Sequence, residues 1–176
     1  MHATDTIIQN YFSLGRTTTL TEFFYLLTIL FDFSFHFFVF CICVALLVYL
    51  FRGLRHFLIF IISIFSGALI VFLLKHFLEI SRPLEGAIEA FGNSFPSGHT
   101  TVATIFSICL MYSFDKYFKG VSKFIFNSLC ILNIVLVGFS RVYLGVHWVS
   151  DIVGGIVLGS VVSYLVILIS NHVRKR

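Results

Sequence analysis

Two cations and a proline, Lys75 and Arg82-Pro83, form the first group of polar residues in this sequence that could do chemistry. Seven residues are close to two helical turns, so this spacing predicts that both cations project from one face. Proline disfavours helical geometry at the residue before it, which predicts that the chain turns at Arg82. Two cations on one face would suit the oxygens of an anion. The alternative is that each side chain reaches out separately to a polar surface.

The second group, Pro96-Ser97-Gly98-His99, directly precedes an apolar run that begins at Thr100. Ser97 is a good N-cap and Gly98 permits close approach to the backbone, so the free N–H groups at the start of the predicted helix form an anion site. His99 would lie in the first turn beside that anion, where it could exchange a proton. A purely structural histidine is the alternative.

The third group consists of Ser140-Arg141, His147 and Asp151. His147 and Asp151 are four residues apart, so they share a face if the last helix begins near His147, and Asp151 can accept a hydrogen bond from one imidazole nitrogen. The other nitrogen is then available as a nucleophile or base. Gly145 permits a turn that brings Arg141 towards His147. The alternative is an ordinary capped helix with a structural ion pair.

The three groups together describe a binding site for a tetrahedral oxyanion. Three cations and a helix N-terminus would hold its oxygens, and two histidines, one of them oriented by a carboxylate, would supply a nucleophile and a general acid. This combination predicts phosphoryl transfer. The sequence also shows no cluster of carboxylates that could hold magnesium, and we expect no cofactor.

Helices inside a membrane must position these residues, because the rest of the chain is strongly apolar. Of its 176 residues, 59% are hydrophobic and 11% are charged. An ordinary soluble domain has about 25% charged residues, so this composition excludes a soluble domain and a disordered chain. The net charge of +4 is explained by membrane topology, and we expect no nucleic-acid partner. We expect one integral-membrane domain over residues 1–176, in which the three polar groups occupy residues 75–151.

Five apolar runs without Asp, Glu, Lys or Arg approach the length needed to cross about 30 Å of hydrocarbon. They are Phe33–Phe51, Phe57–Leu74, Thr100–Phe114, Phe124–Ser140 and Ile152–Asn171. A sixth piece, Leu20–Phe31, is shorter and contains Glu22. We therefore predict an all-α fold, a polytopic transmembrane helix bundle with five long spans plus a short N-terminal interfacial or re-entrant helix. A bundle of six spans is the alternative.

Basic residues predict the orientation of the chain, because short cytoplasmic loops are enriched in Lys and Arg. Five alternating spans place three basic clusters on one face, which should be cytoplasmic. The clusters are Arg52 and Arg55, then Lys116, Lys119 and Lys123, and finally Arg174, Lys175 and Arg176. The polar groups would then lie on the periplasmic or extracellular side of the cell (inner) membrane, with the C-terminus in the cytoplasm.

The three polar groups also resemble the three-part signature of the type 2 phosphatidic acid phosphatases, the membrane relatives of the vanadium haloperoxidases. Lys75-HFLEIS-Arg82-Pro83, Pro96-Ser97-Gly98-His99 and Ser140-Arg141-VYLGV-His147-WVS-Asp151 have the order and spacing of that signature. The resemblance runs from about Lys75 to the C-terminus. In size and layout the chain is similar to small bacterial members that act on undecaprenyl diphosphate or phosphatidylglycerophosphate.

The resemblance implies a metal-independent reaction and a role for each matching position. His147 would attack phosphorus and form a phosphohistidine, with Asp151 holding its ring. His99 would protonate the leaving lipid oxygen and then activate the water that hydrolyses the intermediate. The phosphate oxygens would be bound by Lys75, Arg82, Ser97, Gly98 and Arg141.

The expected partners are membrane lipids, among them a lipid phosphate or diphosphate as substrate. Glu85, Glu89 and Asn93, in the loop from Glu79 to Gly98, are expected to select its headgroup. A lipid phosphotransferase would use the same residues and stays open as an alternative. A membrane anion transporter is a further alternative, disfavoured because no run has the midplane charge or broken helix usual in a transport path. The sequence does not determine the oligomeric state.

Overall fold

The computed structural model describes residues 3–29, 31 and 35–174. These residues form α-helices joined by loops and contain no strand, which confirms the all-α fold. The helices are α1 (Ala3–Gly15), α2 (Thr18–Ile29), α3 (Phe35–Arg52), α4 (Leu54–Leu78), α5 (Gly98–Phe114), α6 (Gly120–Tyr143) and α7 (Val149–Arg174).

Three helices of the described chain are long and apolar enough to cross a membrane: Leu54–Leu78, Gly120–Tyr143 and Val149–Val173. Helix α3 contributes a shorter apolar stretch, His36–Arg52. Helix α5 has 17 residues, which at 1.5 Å per residue give about 26 Å. Spanning is thus supported for α4, α6 and α7, and for α3 and α5 it stays a prediction. The start of the first predicted run, at Phe33, lies outside the described residues.

The short N-terminal piece forms helix α2, of 12 residues, although Leu30 of the predicted run lies outside the described residues. Helix α2 packs on the end of α6, where the rings of Phe24 and Tyr143 lie 4.8 Å apart. Before it comes α1, a helix that the sequence analysis did not predict. The carboxylate of Asp5 in α1 is buried and accepts hydrogen bonds from the backbone N–H (3.2 Å) and hydroxyl (2.8 Å) of Ser150.

Helix α5 forms the centre of the bundle, between α4, α6 and α7. Its close contact with α7 depends on two glycines of α7, because small residues let helices approach closely. A Cβ added at Gly155 would lie 2.9 Å from the carbonyl oxygen of Ser97, and one at Gly159 would lie 2.7 Å from that of Thr101. Larger side chains would therefore push α7 away from the start of α5, where the second polar group lies.

Helices α3 to α7 alternate in direction, so the bundle has two different ends. The site end, which contains the loops at 79–97 and 144–148, carries all of the predicted site residues. The opposite, basic end has Arg55, whose Nε donates to Ser170 Oγ (3.0 Å) and whose Nη2 donates to Tyr112 OH (3.1 Å). Within the described residues, the predicted basic clusters all fall at this end. Lys175 and Arg176 lie outside those residues.

Candidate functional site

A cavity of about 890 Å³ opens at the site end of the bundle. Its walls come from α2, α4 and the loop after α4, together with the ends of α5 and α6 and the loop before α7. Six of the eight predicted site residues line it: Lys75, Arg82, Gly98, His99, Arg141 and His147. The other two, Ser97 and Asp151, are buried directly behind this lining. The structure thus brings together residues that are up to 76 positions apart in the chain.

His147 is buried and held between a carboxylate and a cation. Its Nδ1 lies 3.2 Å from Asp151 Oδ2, and its Nε2 lies 3.3 Å from Arg82 Nη1. A guanidinium can only donate, so Nε2 accepts that hydrogen bond and the ring proton resides on Nδ1, from which it is donated to Asp151. In this tautomer the Nε2 lone pair faces Arg82 in the cavity lining, and a bound anion that draws the guanidinium to itself would release the lone pair for attack.

Asp151 is fixed by more partners than the sequence indicates. Its Oδ2 accepts hydrogen bonds from the Ser94 hydroxyl and from the backbone N–H of Trp148 (2.8 Å), in addition to His147. The bond to Trp148, three residues earlier, is the backbone half of a capping box at the start of α7. Sequence reasoning missed Ser94, because nothing in its local pattern separates it from other loop serines.

The prediction that Lys75 and Arg82 project from one face of a helix is wrong, although both side chains reach the cavity. Helix α4 ends at Leu78, so Arg82 lies in the following loop and not on the same helical face. Lys75 Nζ donates to the backbone carbonyls of Asn93 and Ser94 (3.0 Å for Ser94), and Asn93 Nδ2 donates back to the Lys75 carbonyl (2.7 Å). The loop therefore folds back over the end of α4.

Arg82 is held by three backbone carbonyls. Its Nε donates to Gly92 (3.0 Å), its Nη2 to Phe91 (3.1 Å) and its Nη1 to Val146 (2.6 Å). Carbonyl acceptors fix the guanidinium without neutralising it, so its charge remains available to an anion in the cavity. The same contacts connect the loop after α4 to the loop that carries His147.

Ser97 is the N-cap of α5, as the sequence predicts. Its hydroxyl accepts hydrogen bonds from the backbone N–H (3.4 Å) and hydroxyl (3.0 Å) of Thr100. Its own N–H donates to the backbone carbonyl of Asp151 at 3.1 Å, which joins the second polar group to the third. Gly98 and His99 follow in the first turn of α5 and line the cavity.

Arg141 occupies the last turn of α6 and is buried. Its Nη1 donates to Thr28 Oγ1 at 3.2 Å, so the short helix α2 contributes to the site. Gly145, with φ of +72°, makes the turn between Arg141 and His147 that the sequence predicts. Thr28 was also missed, because an isolated threonine in an apolar helix carries no signal of this contact.

Arg16, between α1 and α2, supports the loop that carries His147. Arg16 Nε donates to the carbonyl of Tyr143 (2.8 Å), and its Nη1 donates to that of Glu85. A Cβ at Gly145 would lie 2.3 Å from Arg16 Nη2, so the two segments are in close contact. Of the residues predicted to select a headgroup, Glu89 lines the cavity, Asn93 holds Lys75, and Glu85 is not part of the lining.

Burial has a direct effect on the charge of His147. It lowers the pKa of the imidazole from 6.5 to about 4, assisted by the positive charges of Arg82 and Arg141 and opposed by the hydrogen bond to Asp151. Burial also lowers the pKa of Arg82, and the negative charge of Asp151 opposes this shift. At neutral pH the site therefore combines a neutral imidazole with a cationic guanidinium. Among the described residues, no three His, Cys, Asp or Glu side chains are grouped as metal ligands would be.

The chain also has relatives of known sequence. Phosphatidylglycerophosphatase B of Bacillus subtilis (strain 168) is 38% identical over 96 residues, which are 53% of this chain and 47% of that protein. An undecaprenyl-diphosphatase of Sulfolobus acidocaldarius is 36% identical over 78 residues, 44% of this chain and 34% of the relative. The aligned segments thus span less than half the length of these curated relatives.

Solved structures share the fold over nearly the whole chain. The crystal structure of the first transmembrane PAP2 type phosphatidylglycerolphosphate phosphatase from Bacillus subtilis has a TM-score of 0.86 and 28% identity, covering 97% of this chain and 86% of that one. The crystal structure of Aquifex aeolicus LpxE has a TM-score of 0.78 and 21% identity, covering 94% and 96%, which shows a common fold.

The family model described as the PAP2 superfamily matches residues 56–175. That range includes every predicted site residue, from Lys75 to Asp151, and more than half of the chain. The resemblance found in the sequence is therefore confirmed: the chain belongs to the PAP2 superfamily.

Proposed function

We propose that this chain is an integral-membrane lipid phosphatase that uses His147 as its nucleophile and requires no metal. The observation that carries the proposal is the cavity in which a neutral imidazole, held by Asp151, meets Lys75, Arg82 and Arg141. Such an arrangement provides a nucleophilic nitrogen beside a binding site for phosphate oxygens.

In the first step, Nε2 of His147 attacks the phosphorus atom of the bound lipid. The new N–P bond forms as the bond between phosphorus and the leaving oxygen breaks, and His99 donates a proton to that oxygen. Asp151 accepts the Nδ1–H bond throughout and stabilises the positive charge that develops on the ring. Three cations and the first N–H groups of α5 offset the charge on the equatorial oxygens.

In the second step, water replaces the imidazole on phosphorus. His99, now neutral, takes a proton from the water as its oxygen attacks, and the N–P bond breaks with return of the electron pair to Nε2. Inorganic phosphate leaves, and both histidines are ready for another cycle. The two steps together consume one lipid phosphate and one water.

A lipid substrate fits the walls of the cavity. Ile29, Val71 and Phe72 make one side apolar, and Phe72 is also 67% exposed at the outer surface of the bundle. A tail could therefore remain in the bilayer while the headgroup reaches the cations. We propose phosphatidylglycerophosphate or undecaprenyl diphosphate as the substrate, because relatives are named for acting on them.

We further propose that α3 to α7 all span the membrane, as a single domain with the active site on the periplasmic or extracellular side and the C-terminus in the cytoplasm. The support is the separation of charge along the bundle. Apart from Arg16, the described cations outside the site gather at the basic end, where Arg52 also packs against the ring of Tyr117 at 5.5 Å. Such clusters are typical of the cytoplasmic side.

The proposal is tested by phosphate release from purified protein in detergent with EDTA present. The panel comprises phosphatidylglycerophosphate, undecaprenyl diphosphate, phosphatidic acid and a lipid A precursor. We expect turnover of at least one of these lipids and inhibition by vanadate, which mimics the trigonal-bipyramidal transition state. Loss of all activity on chelation would contradict the metal-free mechanism. Phosphoryl transfer to an added alcohol in preference to water would instead identify a phosphotransferase.

The two histidines can be separated with a diphosphate whose terminal phosphate is radiolabelled. A diphosphate has a good leaving group, so H99N should still form the phosphohistidine but hydrolyse it slowly, and label should accumulate on the protein. The same experiment with H147A should give no labelled protein. Label that persists in H147A would refute His147 as the nucleophile.

A further inference from the structure

A second groove, of about 570 Å³, lies at the basic end of the bundle between α4 and α7. Leu58 and Ile62 form its wall on α4, and Val166 and Ile169 form its wall on α7. From the level of Arg55 to that of Ile62 it follows seven residues of helix, or about 10 Å. It is therefore an apolar channel on the lipid-facing surface, far from the catalytic cavity.

Two arginines, Arg55 and Arg174, lie at the end of this groove. Arg55 donates to the neutral side chains of Ser170, Tyr112 and Asn171, which hold the guanidinium in place without cancelling its charge. Neither arginine forms an ion pair within the described part of the chain.

Among the described residues, the acidic residue at the basic end of the bundle is already paired with a lysine. Asp115, in the loop between α5 and α6, lies 2.6 Å from the ammonium group of Lys123. The groove therefore combines an apolar channel with an unneutralised positive charge at its end. An anionic amphiphile, which has an apolar chain and a negative headgroup, is complementary to both features.

We propose that this groove binds an anionic phospholipid from the leaflet opposite the catalytic site. The headgroup phosphate would lie against Arg55 and Arg174, and one acyl chain would follow the apolar walls between α4 and α7. Basic pockets between membrane helices are suited to anionic headgroups. The bound lipid would brace the two helices that carry Lys75 and Asp151 at the other end, and it would not be a substrate.

This proposal does not depend on catalysis, so its test measures binding. Retention of dioleoylphosphatidylglycerol and dioleoylphosphatidylcholine by the purified chain is compared by native mass spectrometry. We expect preferential retention of phosphatidylglycerol. The R174Q variant should bind phosphatidylglycerol about fivefold more weakly, as expected for the loss of one arginine near an anionic headgroup. Its retention of phosphatidylcholine should change little.

The matched control is K116Q, which removes one positive charge from the same end but outside the groove. Its affinity for phosphatidylglycerol should stay close to that of the native chain. Equal losses in K116Q and R174Q would overturn the proposal in favour of a general surface attraction. Equal retention of the two lipids by the native chain would also overturn it.

A second variant, I62W, tests the apolar part of the groove without changing any charge. The larger side chain should displace the acyl chain and weaken phosphatidylglycerol retention, while thermal unfolding in detergent verifies that the variant is folded. Glycerol phosphate, which has the headgroup charge but no tail, should not compete. Competition by glycerol phosphate would refute the amphiphile site, as would a native dimer that I62W dissociates, because the groove would then be an interface between two copies.

Discussion

At the site end Lys75 and Arg82 donate to backbone carbonyls, whereas at the basic end Arg55 donates to side chains of α5 and α7. The difference follows from the loops. The segments 79–97 and 144–148 are not helical, so their carbonyls are not used by a helical ladder and are free to accept. The basic end has short connections between regular helices, so side chains accept the hydrogen bonds of its cations.

The two ends also use their carboxylates differently. Asp115 pairs with a lysine at the basic end, whereas Asp151 at the site end accepts from a histidine, a serine and a backbone N–H. The cations of the cavity thus keep their charge, and the carboxylate sets the tautomer of the histidine. The end with the catalytic cavity and the basic end can therefore be distinguished by the acceptors that surround their cations.

The largest predicted difference concerns one histidine from each end. The H147A variant should reduce phosphate release by at least about 10⁴-fold, as loss of a nucleophile does in other enzymes. The matched variant H56A removes a half-buried histidine whose Nδ1 lies 3.3 Å from Ser113 Oγ, and it should retain near-native activity. Initial rates at saturating lipid measure both. Comparable losses in the two variants would remove the distinction between the ends.

A second comparison uses one aspartate from each end. In D151N the amide oxygen can replace Oδ2 as an acceptor, but a neutral amide binds the three donors less strongly than a carboxylate and cannot stabilise the positive charge that develops on the His147 ring. We expect kcat to fall about 10³- to 10⁴-fold, as for the equivalent change in a catalytic triad. D115N breaks an exposed ion pair, which contributes little, and kcat should hardly change. A fully active D151N would show that this carboxylate does not orient the nucleophile.

Ser94 offers a smaller and sharper test, because it acts on His147 only through Asp151. S94A should lower kcat about tenfold, since a hydrogen bond to a charged group is lost, and should leave KM unchanged. The freed carboxylate oxygen would attract the Nδ1 proton more strongly, so the acid limb of the pH–rate profile should move to higher pH. S94T should restore both properties.

The control for S94A is S113A, which removes a buried serine hydroxyl at the basic end. It should change neither kcat nor the pH profile. A loss of kcat in S94A with an unshifted acid limb would indicate a packing defect in place of a positioning role.

The smallest effect is the pH dependence of phosphohistidine formation. The nucleophile must be neutral, and the pKa of His147 is lowered from 6.5 to about 4 by burial. Protonation of His147 removes its nucleophilicity as the pH falls through that value. Formation of the phosphohistidine from a labelled diphosphate in H99N, where His99 does not titrate, should therefore be nearly constant from pH 7 to about 5 and half-maximal near pH 4. An acid limb centred at 6.5 would show that the site does not desolvate the imidazole.

Local patterns predicted those contacts of the site that join residues three or four positions apart at the start of a helix. The Ser97 N-cap and the His147–Asp151 pair depend on spacings of three and four residues, and the structure shows both. The spacing of Lys75 and Arg82 was misread as helical, because a seven-residue interval says nothing about where α4 ends. The residues that were missed, such as Ser94 and Thr28, contact partners more than 50 positions away.

Composition and motif spacing were enough to predict the all-α membrane character, the candidate site residues and the family. Scarce charge and strict motif spacing are local properties, and they can be read from a single chain. The tertiary structure decided how those residues become a site. Only packing closes the loop after α4 over Lys75, places α2 against Arg141 and adds the unpredicted helix α1. Contacts between distant segments depend on how the ends of the helices pack together, and short sequence patterns do not predict this packing.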